Sequence, residues 1–204
     1  MKDDFEDYLI DAKLHIETTG RNDRFSDTHL YPYEATSYPV LDRLVESGYI
    51  SGDDCLLDHG CGKGRVAIYL NHCLGCETIG VEVMNEFFEQ ARSNVESYTR
   101  SHHDGSKITL VNYASQTYDI PSKVTGIFFF NPFSIAVFKS VMGRVTESYY
   151  EKRRNIRLFL YYPQDEYIAY LSGLNEVMFL DEIDCTDLFP EKDPRNRIMI
   201  FEIQ

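Results

Sequence analysis

The sequence predicts an α/β fold: a doubly wound, mostly parallel seven-stranded sheet with an antiparallel last strand and helices on both faces. Three observations predict it. Short runs that are apolar at nearly every position recur along the chain, which marks strands buried on both faces. Between them lie stretches with apolar residues at helical spacing. The last two apolar runs are too close together for a helical crossover, so they pair as a hairpin and reverse the final strand.

The chain divides into an N-terminal helical or lid segment, residues 1–36, and a main domain, residues 37–204. The first segment is polar and acidic, with a weak helical signal at Tyr8, Leu9, Ala12 and Ile16. It reads as a peripheral helix or lid rather than core. Val40, Leu41, Leu44 and Val45 then recur at helical spacing, with Ser37 as a capping candidate, Pro39 in the first turn and Gly48 as the stop. Residues 55–58 are the first strand, and a helix follows through Val66 and Leu70. Residues 78–83 are the second strand. Phe87, Ala91, Val95 and Tyr98 mark the next helix, with acidic Glu86 and Glu89 near its positive end. The third strand is 108–111 and the fourth 126–130. Phe138, Val141, Met142, Val145 and Tyr149 mark a helix entered at Ser134. Residues 157–162, 177–183 and 197–203 complete the sheet. In such a sheet ligands bind at the carboxyl ends of the strands.

Composition narrows the function classes. The 204 residues carry 33 Asp+Glu against 20 Lys+Arg, a formal charge of -13, so a broad phosphate-binding face is disfavoured and nucleic acid is not the expected partner. The cluster 151–157 is the one basic exception, and it reads as a solvated loop after a helix. The start carries acids where a secretory leader needs positive charge, and no apolar run reaches the roughly 18 residues of a membrane span. A cytoplasmic protein with no membrane contact is the expectation. Five scattered cysteines suit reduced thiols, and Cys73–Cys76 lacks the second ligand pair a zinc site needs, so no metal is expected.

Residues 56–65 carry the most information. Gly60, Gly62 and Gly64 let the backbone turn tightly and approach a ligand, and the helix beginning near Arg65 points free N–H groups at the same place. Lys63 is followed by Gly64, so the hydroxyl that a phosphate-binding loop places for magnesium is missing. The spacing GxGxG also departs from the dinucleotide pattern GxGxxG. Glu82 ends the second strand, where a carboxylate can accept hydrogen bonds from a ribose diol. Asn131-Pro132-Phe133 follows three aromatics at the end of the fourth strand, facing the same crevice.

Residues 58–64, reading DHGCGKG, resemble motif I (DxGxGxG) of the class I S-adenosylmethionine-dependent methyltransferases, and Asn131-Pro132-Phe133 is similar to the [DN]PP[YFW] motif of the amino-group members. The strand and helix order over most of the chain fits that Rossmann-like fold, and the whole resembles bacterial members of undefined substrate. The resemblance implies S-adenosylmethionine as cofactor and residues 37–204 as a class I methyltransferase domain. It implies that Asp58, His59, Gly60, Cys61, Gly62 and Gly64 surround the cofactor, that Glu82 holds the ribose, and that Val83 and Met84 adjoin the adenine. Asn112, Tyr113 and Ala114, after the third strand, stand where the family reads the adenine amino group. Tyr33 and Thr36 belong to a segment that folds over the cofactor in many members. Asn131, Pro132 and Phe133 are the implied catalytic residues, Asn131 also touching the cofactor. The single proline departs from the motif and weakens adenine or glutamine as acceptor.

The resulting expectation is transfer of a methyl group to a small-molecule or protein acceptor, nitrogen included. Three alternatives share the same loop: a nucleic-acid amino-group methyltransferase, a non-catalytic cofactor-binding module, and an NAD-dependent oxidoreductase. His29, Tyr33 and Tyr162 are the candidate general bases.

Overall fold

Buried strands need cover on both faces, and the intervening helices supply it. The computed structural model describes residues 2–22, 33–102 and 107–204. In chain order these hold α1 (Lys2–Leu14), two short strands β1 (Arg21–Asn22) and β2 (Tyr33–Glu34), α2 (Tyr38–Glu46), β3 (Cys55–His59) and α3 (Arg65–Leu74). They continue with β4 (Glu77–Glu82), α4 (Asn85–His102), β5 (Ile108–Asn112), β6 (Gly126–Phe130) and α5 (Ile135–Glu151). Then come β7 (Ile156–Tyr161), α6 (Asp165–Ser172), β8 (Val177–Asp184) and β9 (Arg197–Ile203).

The main sheet has seven strands in the order β5-β4-β3-β6-β7-β9-β8. Pairings β3–β4, β3–β6, β4–β5 and β6–β7 are parallel, and β9 runs antiparallel to both β7 and β8. This is the expected doubly wound sheet with its reversed last strand. The order turns back between β3 and β6, which opens a crevice at their carboxyl ends.

Period-two alternation divides the strands between two apolar layers. Leu57, Ile127 and Phe129 pack with Phe138, Val141 and Tyr167 of α5 and α6. Leu56 and Phe128 face the other way, toward Leu41 and Leu44 of α2 and Ile68 of α3. Between β5 and β6 the described structure has only a short 3₁₀ turn, Ser115–Thr117. No described helix is long and apolar enough to cross a membrane.

One expectation changes and another gains detail. The N-terminal segment is not all periphery. Tyr8 and Leu9 are exposed, but Leu14 and Ile16 join the core with Leu41 and Ile68, and Asp11 and Thr18 are buried. The cause is Arg65, the first residue of α3, which is itself buried. Its guanidinium donates to Asp7, to Thr18 Oγ1 at 2.6 Å, to Thr19 Oγ1 at 3.0 Å and to the Thr36 carbonyl at 3.0 Å. A buried charge needs such partners, and the N-terminal segment supplies them. The basic cluster is the expected exposed loop after a helix, with Lys152 and Arg153 in solvent, but two of its arginines are anchored. Arg154 donates to the carbonyls of Val124 at 2.6 Å and Ser148 at 2.9 Å, and Arg157 to that of Tyr49 at 2.8 Å. These two arginines tie loops together.

Candidate functional site

The glycine loop follows β3 and is pinned to β4. Gly60 and Cys61 donate their backbone N–H groups to the Val81 carbonyl at 2.9 and 3.1 Å. Gly62 donates to Glu82 Oε2 at 2.9 Å, and Met84 donates to Glu82 Oε1 at 2.8 Å. Two glycines are obligatory here for different reasons. A Cβ on Gly60 would stand 2.8 Å from the Pro132 Cβ, so glycine lets the loops after β3 and β6 touch. A Cβ on Gly62 would stand 2.3 Å from the Tyr33 ring, and φ there is +53°. Tyr33 is held by donation from its hydroxyl to the Thr18 carbonyl at 2.6 Å and by its ring against Phe87 at 5.0 Å. The lid strand β2 therefore lies directly on the glycine loop.

Beside this loop is a cavity of about 260 Å³. Asp58, Gly60, Cys61 and Gly62 contribute from β3 and its loop, and Glu82, Val83 and Met84 from the end of β4. Asn131, Pro132 and Phe133 enter from the end of β6, and Tyr33 and Thr36 from the lid. Twelve of the residues singled out in the sequence thus meet on one cavity.

Five do not. His59 alternates to the other face of β3, where its ring stacks on Phe129 at 5.6 Å and neither nitrogen has a described partner. Gly64 caps α3 with φ +87° and packs toward Ala91. Asn112 turns its amide back to donate to the carbonyls of Glu82 at 2.9 Å and Val83 at 3.3 Å. Tyr113 is half exposed, and Ala114 precedes the 3₁₀ turn without reaching the cavity. That turn brings Ser115 and Gln116 to the wall instead. Arg65, Val66, Phe87, Phe128 and Phe130 also line it. No motif announces them: the turn's path sets the first pair, and packing of strand and helix neighbours sets the others.

The electrostatics are those of buried acids. Burial, and then the Glu82 carboxylate, push the Asp58 pKa up to about 8, so Asp58 holds its proton at neutral pH. Burial also raises Glu82, opposed by the N–H donors of Met84 and Gly62. Burial alone drives the His59 pKa down to about 3, which keeps that imidazole neutral. Asn131 sits at φ +44°, and its Oδ1 is buried without a described partner, as is Asp58 Oδ2. Native proteins leave few buried acceptors unpaired, and strained or functional sites are among the places where they do.

The candidate bases fare differently. The Tyr33 phenol donates to a backbone carbonyl and burial pushes its pKa well up. Tyr162 donates to Asp193 Oδ2 at 2.6 Å. Neither is poised to take a proton, and His29 lies outside the described residues.

Comparison with known proteins places this geometry. No family model matches the chain. A protein-lysine N-methyltransferase of Saccharolobus islandicus (strain REY15A) is 35% identical over 66 residues, 32% of this chain and 41% of that protein. The chain therefore spans less than half the length of that curated relative. Among solved structures, a human methyltransferase 10 domain containing protein matches with a TM-score of 0.63 and 15% identity, over 99% of this chain and 95% of that one. An RNA methyltransferase from Salinibacter ruber, in complex with S-adenosyl-L-homocysteine, matches with a TM-score of 0.53 and 18% identity, over 83% of this chain and 93% of that one. The chain has the class I methyltransferase fold.

Proposed function

We propose that this protein is an S-adenosylmethionine-dependent methyltransferase that modifies nitrogen on a small-molecule or protein acceptor. One observation carries the reading: Asn131-Pro132-Phe133 stands on the wall of the same cavity as the glycine loop and Glu82. The residues present fit the cofactor. Each Glu82 oxygen uses one lone pair on a backbone N–H, which leaves acceptor capacity for vicinal ribose hydroxyls. Val83, Met84 and Phe87 offer apolar surface for a purine, and Ser115 and Gln116 offer polar groups for its edge. Asp58 offers a carboxyl that a nearby positive charge would draw back toward its ionised form.

The cofactor supplies a methyl group already activated by its sulfonium, so the protein needs neither a metal nor a covalent nucleophile. Its tasks are orientation and exclusion of water. Asn131 accepts from an acceptor N–H and so aims the nitrogen lone pair. Pro132, pressed on Gly60, fixes where Asn131 stands. Phe133, buried and holding the Tyr167 hydroxyl on its carbonyl, makes the dry wall. A nucleic-acid acceptor is disfavoured by the net charge of -13.

Calorimetric titration with S-adenosylmethionine and S-adenosylhomocysteine tests the reading. Micromolar binding of both is expected; no heat from either at high concentration defeats it. Asn131→Ala is expected to lower turnover about tenfold, the value of one orienting hydrogen bond, with cofactor affinity nearly unchanged. Equal loss of both would remove Asn131 from the acceptor side.

A further inference from the structure

A second cavity, of about 610 Å³, adjoins the first. Glu34, Phe130 and Asn131 stand on the walls of both. Its far side is built by Tyr161 and Tyr162 at the end of β7 and by the loop between β8 and β9. The lining is mainly aromatic and acidic, with Arg21 its one described cation. Aromatic surface comes from Phe130 and Tyr161, with ring centroids 4.7 Å apart, and from Tyr162, 6.2 Å beyond Tyr161. Carboxylates come from Glu34, Glu191 and Asp193.

The tyrosine hydroxyls and Arg21 are already engaged. The Tyr161 hydroxyl is directed to Asn196 Oδ1 at 3.3 Å and the Tyr162 hydroxyl to Asp193 at 2.6 Å. Arg21 pairs with Glu34 at 3.2 Å. Arg195 pairs with Asp193 at 2.6 Å and covers the Tyr162 ring at 4.5 Å. Glu191 has no described ion-pair partner. At the seam between the cavities stand the Glu34 carboxylate and the Asn131 amide. A ligand that fits must bring hydrogen-bond donors and positive charge, with apolar length to lie along the rings.

We propose that this second cavity receives the methyl acceptor, and that the acceptor is a protonated aliphatic amine, either a free alkylamine or a lysine side chain. The proposal rests on the cofactor reading above. Aromatic faces attract ammonium groups, and a charge-assisted bond to Glu34 fixes the nitrogen at the seam. A carboxylate or phosphate acceptor would meet three acids there. For transfer the ammonium yields one proton, to Glu34 or through it to water. The freed lone pair then forms the C–N bond as the C–S bond breaks and its electron pair stays on sulfur, leaving the methylated ammonium and a neutral thioether. Glu34 is thus a positioning and specificity residue on the lid strand.

The test uses the full chain saturated with S-adenosylhomocysteine and three probes of equal length: pentylamine, pentanol and pentanoate. A second arm uses a short peptide with one lysine. Pentylamine or the peptide is expected to bind at least about tenfold more tightly than pentanoate or pentanol. With S-adenosylmethionine present, mass spectrometry is expected to find one added methyl on the amine. Methylation of the peptide alone identifies a protein lysine as the source, and methylation of pentylamine alone a free amine. Glu34→Gln is expected to remove the preference of amine over pentanol while S-adenosylhomocysteine still binds, a ratio that a purely structural role would not move. Equal binding of pentanol or pentanoate, or binding of none of the probes, overturns the proposal and leaves the cofactor reading intact. Failure of S-adenosylhomocysteine to bind overturns both.

Discussion

Two buried polar clusters flank the glycine loop, and they differ in how completely they are finished. Around Arg65 every strong group has partners. Asp11 alone accepts from the Thr18 and Thr19 backbone N–H groups at 2.6 and 2.9 Å, from their hydroxyls at 2.7 and 2.9 Å, and from Tyr38 Oη at 2.5 Å. The Arg65 guanidinium also lies 4.4 Å over the Tyr38 ring. Around Asp58, by contrast, Asp58 Oδ2 and Asn131 Oδ1 lack described partners, and two acids share a buried wall. The finished cluster is a fastening between the N-terminal segment and α3. The unfinished one lines the cavity proposed for the cofactor. Burial alone does not distinguish the two clusters; the state of their hydrogen bonds does.

The largest expected effect breaks the finished side. Arg65→Met removes the cation and strands Asp7 and Asp11. Removing one partner of a buried pair costs about 3–5 kcal/mol, so urea unfolding should show a loss of that order. Asp7 is already raised by burial, against the pull of Arg65, and without that pull it should take up a proton more readily. Residues 2–22 should become sensitive to protease before the sheet does. A loss under about 1 kcal/mol would mean that the network only decorates a segment held by Leu14 and Ile16.

The two clusters were unequally legible in the sequence. Gly60, Gly62, Glu82 and Asn131 could be placed on the cavity because their positions follow from local backbone and from strand ends. The seven-strand sheet was legible for the same reason, since apolar runs and helical spacing are local patterns. The Arg65 network was not, because it joins residues 7–19 to residue 65 and no local spacing records that. Asn112 shows a further gap. Its place after β5 was legible, but its amide bonds back to the strand-end carbonyls, and the adjoining turn delivers Ser115 and Gln116 instead. His59 sits inside the glycine motif yet points away, because alternation along β3 separates neighbours to opposite faces.

An intermediate effect is expected on the unfinished side. Asp58 keeps its proton up to about pH 8 in the folded protein, whereas an unfolded Asp loses it near 3.8. The folded state therefore binds the extra proton between these values, and its stability from this group falls as pH rises through that window. Asp58→Asn removes that loss. Relative to the parent, the variant should gain stability with pH by up to roughly 1.4 kcal/mol per unit between about 4 and 8, read from urea midpoints. Its affinity for S-adenosylmethionine should fall, which separates the carboxyl's stability cost from its use. A variant that tracks the parent at every pH would show that Asp58 ionises freely and that the cluster carries no such tension.

The smallest and most diagnostic effect concerns His59, which is unpaired like Asp58 but faces no cavity. Its folded pKa of about 3 lies below the ordinary value of 6.5, so only the unfolded chain takes up a proton between them. Its contribution is complete above pH 6.5 and is lost as pH falls toward 3, the opposite sign to Asp58. Between about 3.8 and 6.5 the two slopes cancel in the parent, which should look nearly indifferent to pH from these two residues. His59→Phe keeps a ring against Phe129 and removes the imidazole. It should unmask the Asp58 slope, so that the variant loses stability, relative to its own value at pH 4, as pH rises to 6.5. Cofactor affinity should not change, because His59 does not line the cavity. If His59→Phe weakens S-adenosylhomocysteine binding as much as Asp58→Asn does, unpaired polar groups on the two faces of β3 act on the same site, and the distinction between an open site and a dry structural defect fails.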